Sequence, residues 1–271
     1  MSRWQSSIRW RATTVGVAVA SAACLSAPCA SQAPTRNAAR VTFAAAPDTV
    51  PHLSPYLYPP HLLLSDRTYW IVSASALTGS VFLDRTAGPV IRNYRTPFLT
   101  QIAPVGDVFG TAKYTVPTIT VALVAAHLAH NANWEDATRH ITLSYIIADV
   151  SEALLKGAVG RQRPAYSGNP WLFRPLSFSD EWHSFPSGHV THITAIAAAL
   201  AQEAHRPWVT ALSASAIAFT GWQRLYRNQH WASDVVGGVI VGTAASRVTA
   251  HWFRHKRKPP SSACAAPTTA R

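Results

Sequence analysis

The sequence predicts an all-α fold, a bundle of about six helices. Two observations predict the helices. The apolar runs are long and lack the strict alternation of a half-buried strand. Gly79, Gly88, Pro89, Pro97, Pro104 and Gly106 break the chain after the first run rather than pacing a series of hairpins. A third observation makes the bundle able to stand: 271 residues, 48% of them apolar, suffice for a sizeable core.

Residues 1–30 read as an export signal or an anchor, with Arg3, Arg9 and Arg11 ahead of a short apolar stretch, Ala12 to Leu25, and then small residues. Residues 31–61 are rich in Ala, Pro and Thr and read as a linker. The helical domain is placed at 62–253, with helices at 66–83, 112–130, 136–157, 188–204, 207–224 and 232–253. A loop at 165–183 carries Tyr166, Trp171 and Phe173, and a structureless loop of that length in a compact domain is usually functional. The tail, 254–271, is basic and then rich in Pro, Ser and Ala, a composition that reads as disordered.

Lysine and arginine outnumber acids 24 to 12, for a formal charge of +12. That favours anionic partners. Some of the excess lies in the two termini, and neither a zinc-finger spacing nor an aromatic-rich RNA-binding pattern is present, so nucleic acid is not expected as a partner. Cys24, Cys29 and Cys264 all lie near the ends, which argues against a disulfide framework or a thiolate metal site.

Three segments carry chemistry. In the first, Lys156 precedes Arg163 and Pro164 at the end of a helix, where positive charge also suits the helix dipole. The second is Pro186-Ser187-Gly188-His189, opening the next helix. Free amides at a helix start form a ready anion site, and histidine exchanges protons near neutral pH. A capped helix with an ordinary histidine has the same letters. In the third, Arg224, His230 and Asp234 run into the last helix, where a His and an Asp four apart can meet. A helix cap by Ser233 or Asp234 beside an unrelated histidine is the plainer alternative.

In this order and spacing the segments resemble the phosphatidic acid phosphatase type 2 and vanadium haloperoxidase superfamily. That pattern is Lys, six residues, Arg-Pro; then Pro-Ser-Gly-His; then Ser-Arg, five residues, His, three residues, Asp. One position departs, Gln223 standing where the pattern has serine. The resemblance implies a phosphatase working through a phosphohistidine on His230. Asp234 would bond the other ring nitrogen, and His189 would serve as acid and then base. Lys156, Arg163, Ser187, Gly188 and Arg224 would bind phosphate. Neither a metal nor another cofactor is implied, since the cations do the neutralising. The expected partner is a phosphate-bearing substrate, a lipid phosphate or diphosphate, with a membrane surface close by. A soluble periplasmic acid phosphatase is the first alternative, ahead of a vanadate-dependent haloperoxidase or an inactive phosphate- or lipid-binding protein. The site is expected to face the periplasm in the cell envelope.

Several neighbouring residues read as structural. Arg161 is expected to be a rim charge. Asp149 and Glu152 are expected in salt bridges, and Trp231 in packing. Asp180, Glu181 and His183 either line the entrance or face solvent. His189 and His192 look like half a metal site without a third ligand at zinc-like spacing.

Overall fold

Helices begin where the sequence supplies caps. In the computed structural model, which describes residues 65–256, Ser65 accepts the Thr68 N–H and starts α1 (Asp66–Val81). Three short helices follow in the stretch expected to be broken by Gly and Pro: α2 (Ala87–Asn93), α3 (Pro97–Ile102) and α4 (Val105–Gly110). Thr96 caps α3, whose first position is Pro97. Then come α5 (Ala112–Leu128), α6 (Ala132–Val159), α7 (Gly188–Ala204), α8 (Pro207–Tyr226) and α9 (Ala232–Lys256).

All six expected long helices are present, and the described residues form no strand beyond one isolated bridge, Arg161 to Phe173. The all-α expectation holds. α6 starts four residues earlier than expected because Asn131 caps it, accepting from Asn133 and Trp134 N–H. It stops at Gly160, whose φ is +58°. A side chain is excluded there twice over, since a Cβ would stand 1.9 Å from the Arg174 carbonyl oxygen. The 165–183 loop folds back on this helix end. Arg174 N–H donates to Gly160 O and Leu176 N–H to Gly157 O, which answers carbonyls that a helix terminus leaves unpaired.

α7 is the central element, packed against α6, α8 and α9 and touched by α4. Buried Ala148, Ala195 and Ala245, from α6, α7 and α9, meet at the centre. Small residues at that junction let three backbones approach and bring the ends of their helices together. Large apolar groups lie outside instead: Trp70, Phe82, Tyr94, Phe98 and Trp208 are all exposed.

Among the described residues no single helix is long and apolar enough to cross a membrane. One bent pair, Pro97–Gly110 with Ala112–Leu128, passes by length and composition, with a 52° bend. The expected export signal, the linker and nearly all of the tail lie outside the described residues.

Candidate active site

Backbone and side-chain bonds tie the three segments to one another. Ser184 N–H donates to Arg161 O at 3.0 Å, joining the second segment to the first. Ser187 N–H donates to Asp234 O at 3.0 Å, joining the second to the third. Trp231 Nε1–H donates to Gln162 O at 2.8 Å and Arg163 Nη1 to Gln229 Oε1 at 3.1 Å, joining the third to the first.

His230 is 4% exposed and held on one side. Its Nδ1–H donates to the Ser184 carbonyl at 2.7 Å, with Asp234 Oδ2 3.8 Å from the same nitrogen. A carbonyl can only accept, so the proton sits on Nδ1 and the lone pair on Nε2. The carboxylate therefore contributes charge to this nitrogen, while the carbonyl makes the hydrogen bond expected of Asp234. Burial, with Arg163 and Arg224 close by, pushes the ring down to about 4 in spite of Asp234.

Asp234 is fully buried and already engaged. Its Oδ1 accepts from Arg161 Nη1 at 2.7 Å, and its Oδ2 from Ser184 Oγ at 2.5 Å and Trp231 N–H at 2.8 Å. The last bond reaches back from the third helical residue to the residue before α9, as in a capping box. Capping and orienting thus coexist in one side chain. Burial works to raise this carboxyl, but His230, Arg161 and Ser184 outweigh it and hold it below the usual range.

Arg161 corrects the expectation of a rim charge. It is 4% exposed and bridges two buried carboxylates, with Nη2 on Asp84 Oδ2 at 2.7 Å and Nη1 on Asp234. Asp84 in turn accepts from Ser233 N–H and Oγ. Trp231 packs as expected, with the Arg161 guanidinium 5.6 Å from its ring centroid.

The expected phosphate-binding cations surround the start of α7, each beside an acid. Lys156 pairs with Glu152, and a Cβ on Gly188 would stand 3.3 Å from Lys156 Nζ. Arg163 pairs with Asp180 at 2.7 Å and Arg224 with Asp107 at 2.7 Å. Among the expected phosphate-binding residues, Arg224 Nε and Ser187 Oγ are buried donors without a partner. The Ser187 amide is engaged on Asp234, while the first-turn amides of Gly188 and His189 have no intrahelical acceptor. Pro186 precedes the Ser187 cap instead of lying in the first turn.

His189 is held more loosely. Thr111 Oγ1 donates to Asp107 O at 2.5 Å, so its lone pair faces His189 Nε2 at 3.2 Å, and that nitrogen carries the proton. Burial, then Arg224, His230, His192 and Lys156, push the ring down to about 2.

His192 has partners of its own. Its Nε2 lies 2.9 Å from Asp149 and its Nδ1 donates to Gly110 O. Asp149, Glu152 and His192 gather their ligand atoms within 4.8 Å of one another, a grouping that sequence spacing did not suggest. Lys156 on Glu152 supplies a cation there already, and Asp149 pairs with His192 in place of the expected Lys or Arg. Asp180 and Glu181 lie at the site, on Arg163 and Gln162, while His183 Nε2–H donates to Ser177 O at 2.7 Å. Sequence reasoning missed Asp84 and Asp107. The signal was available: they are the only acids between Asp66 and Glu135 in a strongly basic chain.

Residues 137–258 match the sequence profile of the PAP2 superfamily. A lipid A 1-phosphatase of Rhizobium johnstonii is 34% identical over 116 residues, 42% of this chain and 47% of that protein. One from Rhizobium etli is 38% identical over 99 residues, 36% of this chain and 42% of that one. The chain thus spans less than half the length of these relatives. Two solved structures share this fold. LpxE of Aquifex aeolicus superposes with a TM-score of 0.51 at 20% identity, covering 62% of this chain and 95% of that one. A transmembrane PAP2-type phosphatidylglycerolphosphate phosphatase of Bacillus subtilis gives 0.55 at 22%, covering 70% and 94%.

Proposed function

We propose that this chain is a phosphatase of the cell envelope that hydrolyses lipid phosphates through a phosphohistidine on His230. The observation that carries the reading is the bond from His230 Nδ1–H to Ser184 O, which leaves a buried, neutral Nε2 lone pair beside a cluster of cations. Nε2 attacks phosphorus. Lys156, Arg163 and Arg224, with the amides of Gly188 and His189, neutralise the three equatorial oxygens. His189 acts as general acid from its imidazolium form, whose charge the bound phosphate anion stabilises: it gives one proton to the leaving alkoxide, and the neutral ring then takes a proton from the water that releases phosphate. The positive charge formed on His230 faces Asp234 at 3.8 Å. Fixed cations do the work a metal does elsewhere, so the reaction runs without one.

The lipid class rests on the two Rhizobium relatives, whose named substrate is lipid A, and on the exposed Trp70, Phe82, Tyr94 and Phe98. The test is a panel of lipid A, phosphatidic acid, phosphatidylglycerol phosphate and a water-soluble monoester, run on purified full chain with and without EDTA. Lipid substrates are expected to turn over fastest, unaffected by EDTA. His230→Ala is expected to lose roughly 10⁴-fold or more in kcat and to form no acid-labile phosphoenzyme. Full activity in that variant overturns the mechanism, and preference for the soluble monoester overturns the lipid class.

A further inference from the structure

α4 sits unusually close to the site. A Cβ on Gly106 would stand 2.7 Å from Gln223 Cγ, and one on Gly110 would stand 2.4 Å from His189 Cα. Two glycines four apart let this short helix press on α8 and α7 at once, and Asp107 lies between them. Its Oδ1 accepts from Arg224 Nη1 at 2.7 Å and from Gln223 Nε2 at 3.0 Å, and its Oδ2 from Arg227 Nη1 at 2.7 Å. The same Oδ1 lies 3.8 Å from His189 Nε2. Arg224 thus gives one nitrogen to a carboxylate while its buried Nε has no partner.

Resting on the phosphatase reading of this site, we infer that Asp107 is a positioning and selectivity residue, an internal anion that holds Arg224 and weakens the cradle's grip on multiply charged phosphate. Its carboxylate makes with Arg224 the bond that a phosphate oxygen would make. An incoming phosphate either displaces it or binds beside it against like-charge repulsion, and both lower affinity. Lys156, Arg163, Arg224 and Arg227 pair with Glu152, Asp180 and Asp107. A neutral residue at 107 removes the one acid shared by Arg224 and Arg227. The weaker grip also speeds release of the product phosphate, which would otherwise stay on the same cations. Gln223 belongs to the same device. Its amide reaches Asp107 where the shorter serine of the family pattern would fall short, so the departure at this position couples α8 to α4.

The test uses purified full chain as wild type, Asp107→Asn and Gln223→Ser. Orthophosphate and orthovanadate affinities are measured by calorimetry, and KM and kcat with a phosphate monoester. Asp107→Asn is expected to bind orthophosphate about tenfold more tightly, with lower KM and lower kcat. Gln223→Ser is expected to shift both in the same direction by less. A merely structural role would raise KM and lower the melting temperature instead. If Asp107→Asn does not fold, the Gln223→Ser shift decides alone. Wild-type binding with unchanged or weaker binding in the folded variants overturns this inference and spares the phosphatase reading. No binding by any of the three overturns both.

Discussion

The two imidazoles of the site are built to different standards. His230 is buried at 4% exposure, with its Nδ1 2.7 Å from a carbonyl and its neighbouring carboxylate clamped by Arg161. The His189 side chain is 28% exposed, and its contacts at Nε2 are long, 3.2 Å to Thr111 and 3.8 Å to Asp107. A nucleophile needs one tautomer and one direction of attack, which burial and rigid acceptors supply. An acid that becomes a base within one turnover must exchange protons with alkoxide and water. A half-open ring with weak partners suits that task. On the proposed mechanism, tight and loose placement divide the chemistry between two residues of the same kind.

The sharpest way to break the contrast is at Arg161. Arg161→Met leaves Asp84 and Asp234 buried without their shared cation. Removing one partner of such a network costs about 3–5 kcal/mol, read as a lowered denaturation midpoint. Activity is expected to fall with it, because Asp234 no longer keeps its charge beside His230. His189→Ala comes next and separates the roles. With an alkyl phosphate kcat is expected to fall about 10²–10⁴-fold, the usual contribution of a general acid. With p-nitrophenyl phosphate, whose leaving group needs no proton, the drop is expected to be much smaller. The smallest effect is on pH. Protonated His230 has no lone pair at Nε2, so activity is lost as pH falls through its folded value. Since that value is depressed to about 4, the acid limb of kcat/KM is expected near 4 and not near the 6.5 of a free imidazole.

Much of this site was legible from short-range pattern. Lys156, Arg163, Ser187, Gly188, His189, Arg224, His230 and Asp234 lie in three segments whose internal spacing is set by helix ends, and the helix ends announce themselves by caps and glycines. The long helices were legible for the same reason. Asp84 and Asp107 were not, because their partners lie 77 and 117 residues away and nothing local marks either as a ligand of arginine. Arg161 was misread because a basic residue in a loop between helices is usually solvated. Only the fold reveals that two carboxylates from distant turns converge on it. Scarcity of acids was the one clue in the letters: with 12 acids against 24 bases, each carboxylate is contested.

The reach of Asp234 back to the Trp231 amide has a consequence for how the enzyme comes into being. The side chain that caps the start of α9 is also the one whose charge lies 3.8 Å from the His230 ring. A chain in which α9 has not wound its first turn has not placed Asp234 beside His230, whatever the state of its earlier helices, and on the proposed mechanism it lacks a competent nucleophile. Recovery of turnover on refolding is therefore expected to lag recovery of bulk helicity and to report on the closing step of assembly.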